Sequence, residues 1–159
     1  MSVLADIRPD DWNFPLLVHV LGAALLVGGL LTAAAALFLA WRRQRNADAA
    51  VFGRLAFRSL LFVAVPAWVI MRVGADWILS RENLDDLPED PTWLELGGII
   101  ADAGAVLILV SLILAGLGAR RLARSGGETS TLLRFSTVLV TVALVGYVVA
   151  VWAMSGKPA

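Results

Sequence analysis

Four stretches of this chain are each apolar enough to cross a bilayer, and only short charged segments separate them. A helix rises about 1.5 Å per residue, so crossing roughly 30 Å of hydrocarbon takes about 20 mostly apolar residues. The stretches run over residues 14–41, 55–79, 93–119 and 132–154. Backbone amides in lipid find no water, so each stretch is expected to satisfy its hydrogen bonds internally, as a helix. The fold class that follows is all-α: a polytopic membrane protein, one domain built as a four-helix transmembrane bundle. Composition agrees. Hydrophobic residues make up 59% of the chain, against about 45–50% in soluble domains. The excess is read as surface for lipid rather than as a larger core.

The first stretch is too long for the apolar region of a secretory signal, which has about 7–15 residues. It also follows Asp10 and Asp11 instead of a basic flank, and is read as retained. The second stretch contains Pro66, which removes a backbone N–H and predicts a kink. The third is rich in small residues: Gly97, Gly98, Ala101, Gly104 and Ala105. The fourth carries no charge beyond Arg134 in its first turn, and Thr129, Ser130 and Thr131 offer N-caps for it.

The net charge of zero hides a segregation. Arg42, Arg43, Arg45, Arg54, Arg58, Arg120, Arg121, Arg124 and Arg134 lie in or just beside the first and third loops. Acids gather in the N-terminal segment and around the second loop, as Glu82, Asp85, Asp86, Glu89 and Asp90, with Pro88 and Pro91. Arginine-rich loops stay cytoplasmic, so both termini are expected outside. Trp12, Trp77, Trp93 and Trp152 then fall at the outer boundary and Trp41 at the inner one, as an aromatic belt requires. Trp68 falls at mid-membrane and is expected inside the bundle. The expected compartment is the inner (plasma) membrane of a bacterium. The bilayer is the first partner, and the basic loops are expected to touch anionic lipid. A second copy or a larger membrane complex is a further candidate, and nucleic acid is not, since the chain is not globally basic.

Apart from Arg58, Glu95 and Arg134 near the stretch ends, four ionisable residues lie inside the apolar stretches: His19, Arg72, Asp76 and Asp102. Such groups are expensive in a membrane, so they usually face the bundle interior, pair, and mark a site or pathway. At about 1.5 Å per residue, His19 and Asp76 lie roughly 7–8 Å from the outer helix ends, and Arg72 one turn deeper. Asp102 lies roughly 12–14 Å in, and Tyr147, the only tyrosine, roughly 10 Å in. All four helices thus offer a polar group to one outer-leaflet layer. Spacings of three and four put His19, Gly22, Leu26, Gly29, Ala33 and Ala36 on one mostly small face of the first helix. The same spacing joins Glu95, Gly98, Asp102 and Ala105 on the third. Arg72 and Asp76 are four apart and can pair.

Two classes of reading follow. In the first, arginine's five donors hold both carboxylates, and the cluster only fixes packing. In the second, the cluster binds an ion, a proton or a small ligand, or His19 ligates haem or copper. A haem would need a second axial ligand, for which Met71, Met154, a carboxylate or a partner chain are the candidates. With no cysteine, thiolate metal sites and iron–sulfur clusters are excluded. The chain has no phosphate-binding loop, no HExxH and no nucleophile elbow. Catalysis is therefore not the expected activity. A binding or transport-accessory role is expected, with a structural subunit of a membrane complex as the alternative.

The first half resembles small bacterial integral-membrane proteins of the copper-resistance D-like type and related four-helix proteins. The resemblance rests on His19, Gly22 and the Gly28–Gly29 pair in the first helix, and on Pro66 and Gly74 in the second. It implies copper transport or delivery, although no methionine-rich or histidine-rich segment is present. The haem-binding four-helix protoporphyrinogen oxidase family also opens with a histidine-bearing helix, but a second histidine is absent here.

Overall fold

The computed structural model describes residues 13–43, 48–82, 92–125 and 131–156, all but one of them helical. Helix α1 is Asn13–Arg42. Helix α2 is continuous but changes its winding: α-helical over Asp48–Ser59, π-helical over Leu60–Ala64, and α-helical again over Val65–Glu82. Helix α3 is Thr92–Ser125 and α4 is Thr131–Gly156. Four spans are long and apolar enough to cross a membrane: Phe14–Arg42, Asp48–Ser80, Glu95–Arg124 and Thr131–Met154. The chain is an all-α, four-span membrane bundle.

Two helices outrun the apolar stretches that announce them. Helix α2 begins at Asp48, inside the first basic segment, and α3 continues to Ser125 through Arg120, Arg121 and Arg124. Asp48 at the N-terminus of α2 and Arg124 in the last turn of α3 each oppose the helix dipole favourably. Once the chain leaves lipid, helix propensity rather than hydropathy decides where a helix stops. Asp48 also lies 3.8 Å from Arg43 across the first turn between helices. Pro88, Pro91, Trp12, Asp85, Asp86, Glu89, Asp90 and the proposed caps Thr129 and Ser130 fall outside the described residues.

Pro66 acts through the turn before it. The Val65 amide bonds the Leu60 carbonyl, five residues back. Proline has no N–H to give and its ring crowds the carbonyl four residues earlier. The widened π turn takes up that conflict without ending the helix.

Each helix packs on its sequence neighbours, and α4 closes the bundle against α1. Leu26, Leu30, Leu37, Leu60, Ile108 and Val140 are fully buried. The predicted face of α1 is the buried one: Gly22, Leu26, Gly29, Ala33 and Ala36 all point inward. Of the glycine pair, Gly29 meets Val63 and Ala64 at the π turn, whereas a side chain at Gly28 would meet nothing within 4 Å. Ser59 on α2 donates to the Gly29 carbonyl at 2.8 Å and so ties the turn to α1.

At the arginine-rich end, guanidinium groups lie on aromatic rings: Arg42 over Phe38, Arg43 over Phe52 and Arg134 over Trp41, at 5.6–5.9 Å. At the opposite end, which the arginine rule places outside, Phe14 meets Trp77 edge-on at 5.7 Å.

Candidate functional site

In the half of the bundle away from the arginine-rich end, the backbones of α1 and α2 come into contact. A Cβ added at Gly22 would lie 2.7 Å from the Met71 Cα, and one at Gly74 would lie 2.8 Å from the His19 Cα. Neither glycine can carry a side chain while the helices stay at this distance. In lipid such close approach is the main route to helix association, since hydrophobicity does not separate helix from tail.

His19 sits at this crossing. Its Nδ1 donates to the Met71 carbonyl at 2.9 Å. A carbonyl oxygen can only accept, so the proton is on Nδ1, and in the neutral ring the Nε2 lone pair remains. The two methionines considered as ligands both pack. Met71 is buried. The Met154 methyl lies where a side chain on Gly97 would be. Among the described residues, no three His, Cys, Asp or Glu side chains come together to hold a metal ion.

Helices α2, α3 and α4 converge on one backbone atom, the Ala101 carbonyl oxygen. The Trp68 indole donates to it at 3.0 Å and the Tyr147 hydroxyl at 3.1 Å. The tyrosine ring lies against Gly104, where a Cβ would come 2.6 Å from its Cζ. Tyr147 is therefore a buried cross-brace. Trp68 is inside the bundle as expected, partly buried against the core.

The charged residues stand beside this layer instead of within it. Arg72 lies 3.4 Å from Asp76, one turn along α2, and 3.7 Å from Asp102 on α3. Both separations exceed the roughly 2.7–2.9 Å of a charge-assisted hydrogen bond. Side-chain exposure is 37% for Arg72, 57% for Asp76 and 68% for Asp102. The pairing expected from the sequence is present, but the expected burial is not.

The reason lies in the rotation of α3. Its inward face is Gly97, Ala101, Gly104, Ile108 and Ser111, about one residue round from the face carrying Asp102. Glu95 and Asp102 are exposed, and a side chain at Gly98 would meet nothing within 4 Å. Turning this way gives the large Tyr147 and Met154 side chains glycine to pack on, and spares Asp102 desolvation in the core. The half of α2 before the π turn packs tightly on α3, with Phe57 on Gly116 and Gly53 facing Ala119. The half of α2 beyond the π turn leans on α1 and touches α3 far less. The Arg72 network spans the resulting seam.

The structure thus gathers the sequence-selected residues in two places: His19 at the α1–α2 crossing, and Arg72, Asp76 and Asp102 on the α2–α3 flank. Tyr147 lies behind the flank, on the same Ala101 carbonyl as Trp68. Ala101 itself carries no signal in a sequence, because its part is played by the backbone. No protein-family model, curated protein or solved structure matches the chain.

Proposed function

We propose that this protein is an accessory binding protein of the membrane, with the Arg72–Asp76–Asp102 flank as its binding surface. One observation carries the reading: two carboxylates at membrane depth share a single guanidinium and stay more than half exposed. Charge left uncovered in lipid is costly, so an occupant that covers it binds with that cost as its driving force. The flank holds one positive and two negative side chains and favours positive charge. The reading extends to a transport-accessory role in a bacterial plasma membrane.

A photocrosslinking amino acid at Ile99, one turn from Asp102, tests this in native membranes, with the same group at lipid-facing Val148 as control. The expected result is a discrete adduct at Ile99 only, lost on Asp102→Asn. Phospholipid adducts at both positions would reject a binding surface.

A further inference from the structure

The outward face of α3 reads Ile99, Asp102, Val106, Val110, Ile113 and Leu117, all exposed. Apart from Asp102, this is an aliphatic stripe suited to lipid, at the three- and four-residue spacing of a helix–helix seam. On α2, exposed Val69 and Val73 continue it beside Asp76 and Arg72. A long apolar face with one acidic position and a net negative neighbourhood has the complement of a transmembrane helix with one basic side chain.

We infer that the α2–α3 flank docks a transmembrane helix of another protein, which presents a lysine or arginine to Asp102 and Asp76 in the outer half of the membrane. This rests on the binding role proposed above and names its occupant. Charge selects the partner. Each copy of this chain brings one Arg72 and two aspartates to the flank, so pairing two copies would join two net negative faces. A basic helix instead neutralises the flank. A lysine ammonium has three donors and can engage both carboxylates beside the Arg72 guanidinium. Aliphatic side chains above and below Asp102 keep water from the contact, and low dielectric strengthens the attraction.

The test uses purified full-length protein in phosphatidylcholine vesicles and synthetic polyleucine transmembrane peptides, read by energy transfer between dyes. One peptide carries a single Lys about 10 Å from its outer end, matching the seven-residue distance from Glu95 to Asp102. The others carry Gln or Glu there. The expected result is roughly tenfold tighter binding of the Lys peptide than of the Gln peptide. Asp76→Asn with Asp102→Asn should abolish that preference while helical circular dichroism is unchanged. A variant with Val148→Gln, on another lipid face, should keep it. Equal binding of the three peptides would overturn the inference. So would self-association of the protein that Asp102→Asn abolishes, since a second copy would then be the occupant. An Ile99 adduct in native membranes without a Lys preference would leave the binding role standing and remove only the helix partner.

Discussion

His19 and Met71 join α1 to α2 by a bond from side chain to backbone, Nδ1 to carbonyl oxygen at 2.9 Å, where Gly22 and Gly74 bring the helices into contact. The histidine contributes one polar contact, and the glycines set the distance at which it forms.

The consequences of changing them differ in size. His19→Gln keeps a donor of similar reach and should cost about 1 kcal/mol, the ordinary worth of one hydrogen bond. Gly22→Ala and Gly74→Ala each force a methyl into backbone and should cost at least about 2 kcal/mol. Reversible unfolding in mixed micelles measures all three. A larger loss for His19→Gln than for either alanine variant would mean that the histidine holds something more than Met71. The visible absorbance spectrum and metal content of the wild type supply the check. Stoichiometric haem or copper that disappears in His19→Gln would make His19 a ligand through Nε2.

Arg72 should couple to Asp76 and Asp102, but modestly. A buried pair broken on one side loses about 3–5 kcal/mol, and a water-exposed pair is worth about 0.2–1 kcal/mol. Separations of 3.4 and 3.7 Å, longer than a charge-assisted hydrogen bond, place the network toward the lower figure. Arg72→Ala should be destabilised, Arg72→Ala with Asp76→Asn less so, and the cycle should show a coupling of about 1 kcal/mol. Strictly additive losses would mean that the ion pair contributes nothing.

Orientation is testable without reference to function. Cysteines introduced by Ser125→Cys and Asp86→Cys should react on opposite sides of the membrane, because the chain has no cysteine of its own. The residue-86 thiol should label in intact cells and the residue-125 thiol only after permeabilisation. Labelling of residue 125 from outside would reverse the topology that the arginines specify.

Two serines at the α3–α4 contact should respond in opposite ways. Ser136 donates to the Ser111 carbonyl at 3.0 Å, while the buried Ser111 hydroxyl has no partner. Ser136→Ala should lose about 1 kcal/mol. Ser111→Ala removes an unpaired polar atom and should be neutral or stabilising. Comparable losses for both would show that the Ser111 hydroxyl is satisfied in the membrane.

What could be read from the sequence was whatever depends on one helix at a time. Hydropathy located the four spans, arginine placement suggested their direction, and spacing found the inward face of α1. It also paired Arg72 with Asp76, four residues apart on one helix. The errors concern rotation between helices. Spacing shows that Gly98 and Asp102 share a face, but not whether that face or the neighbouring Gly97–Ala101–Gly104 face meets α4. Tyr147 and Met154 decide it, from another helix. The Ala101 carbonyl and the Met71 carbonyl were equally hidden, since every residue supplies the same backbone oxygen.

The π turn at Leu60–Ala64 sets where α2 tolerates a change in length. A residue deleted from an ordinary α-helical segment rotates everything beyond it by about 100°. Were the second helix α-wound throughout, such a loss between Phe57 and Pro66 would carry Gly74 off His19 and swing Arg72 away from Asp102. The π turn already holds more residues than an α turn, so a deletion within it restores α winding and leaves both flanks in phase, at the cost of pressing the Pro66 ring on the turn before it. A single-residue deletion that keeps the packing on both sides of Phe57–Pro66 therefore falls within that turn.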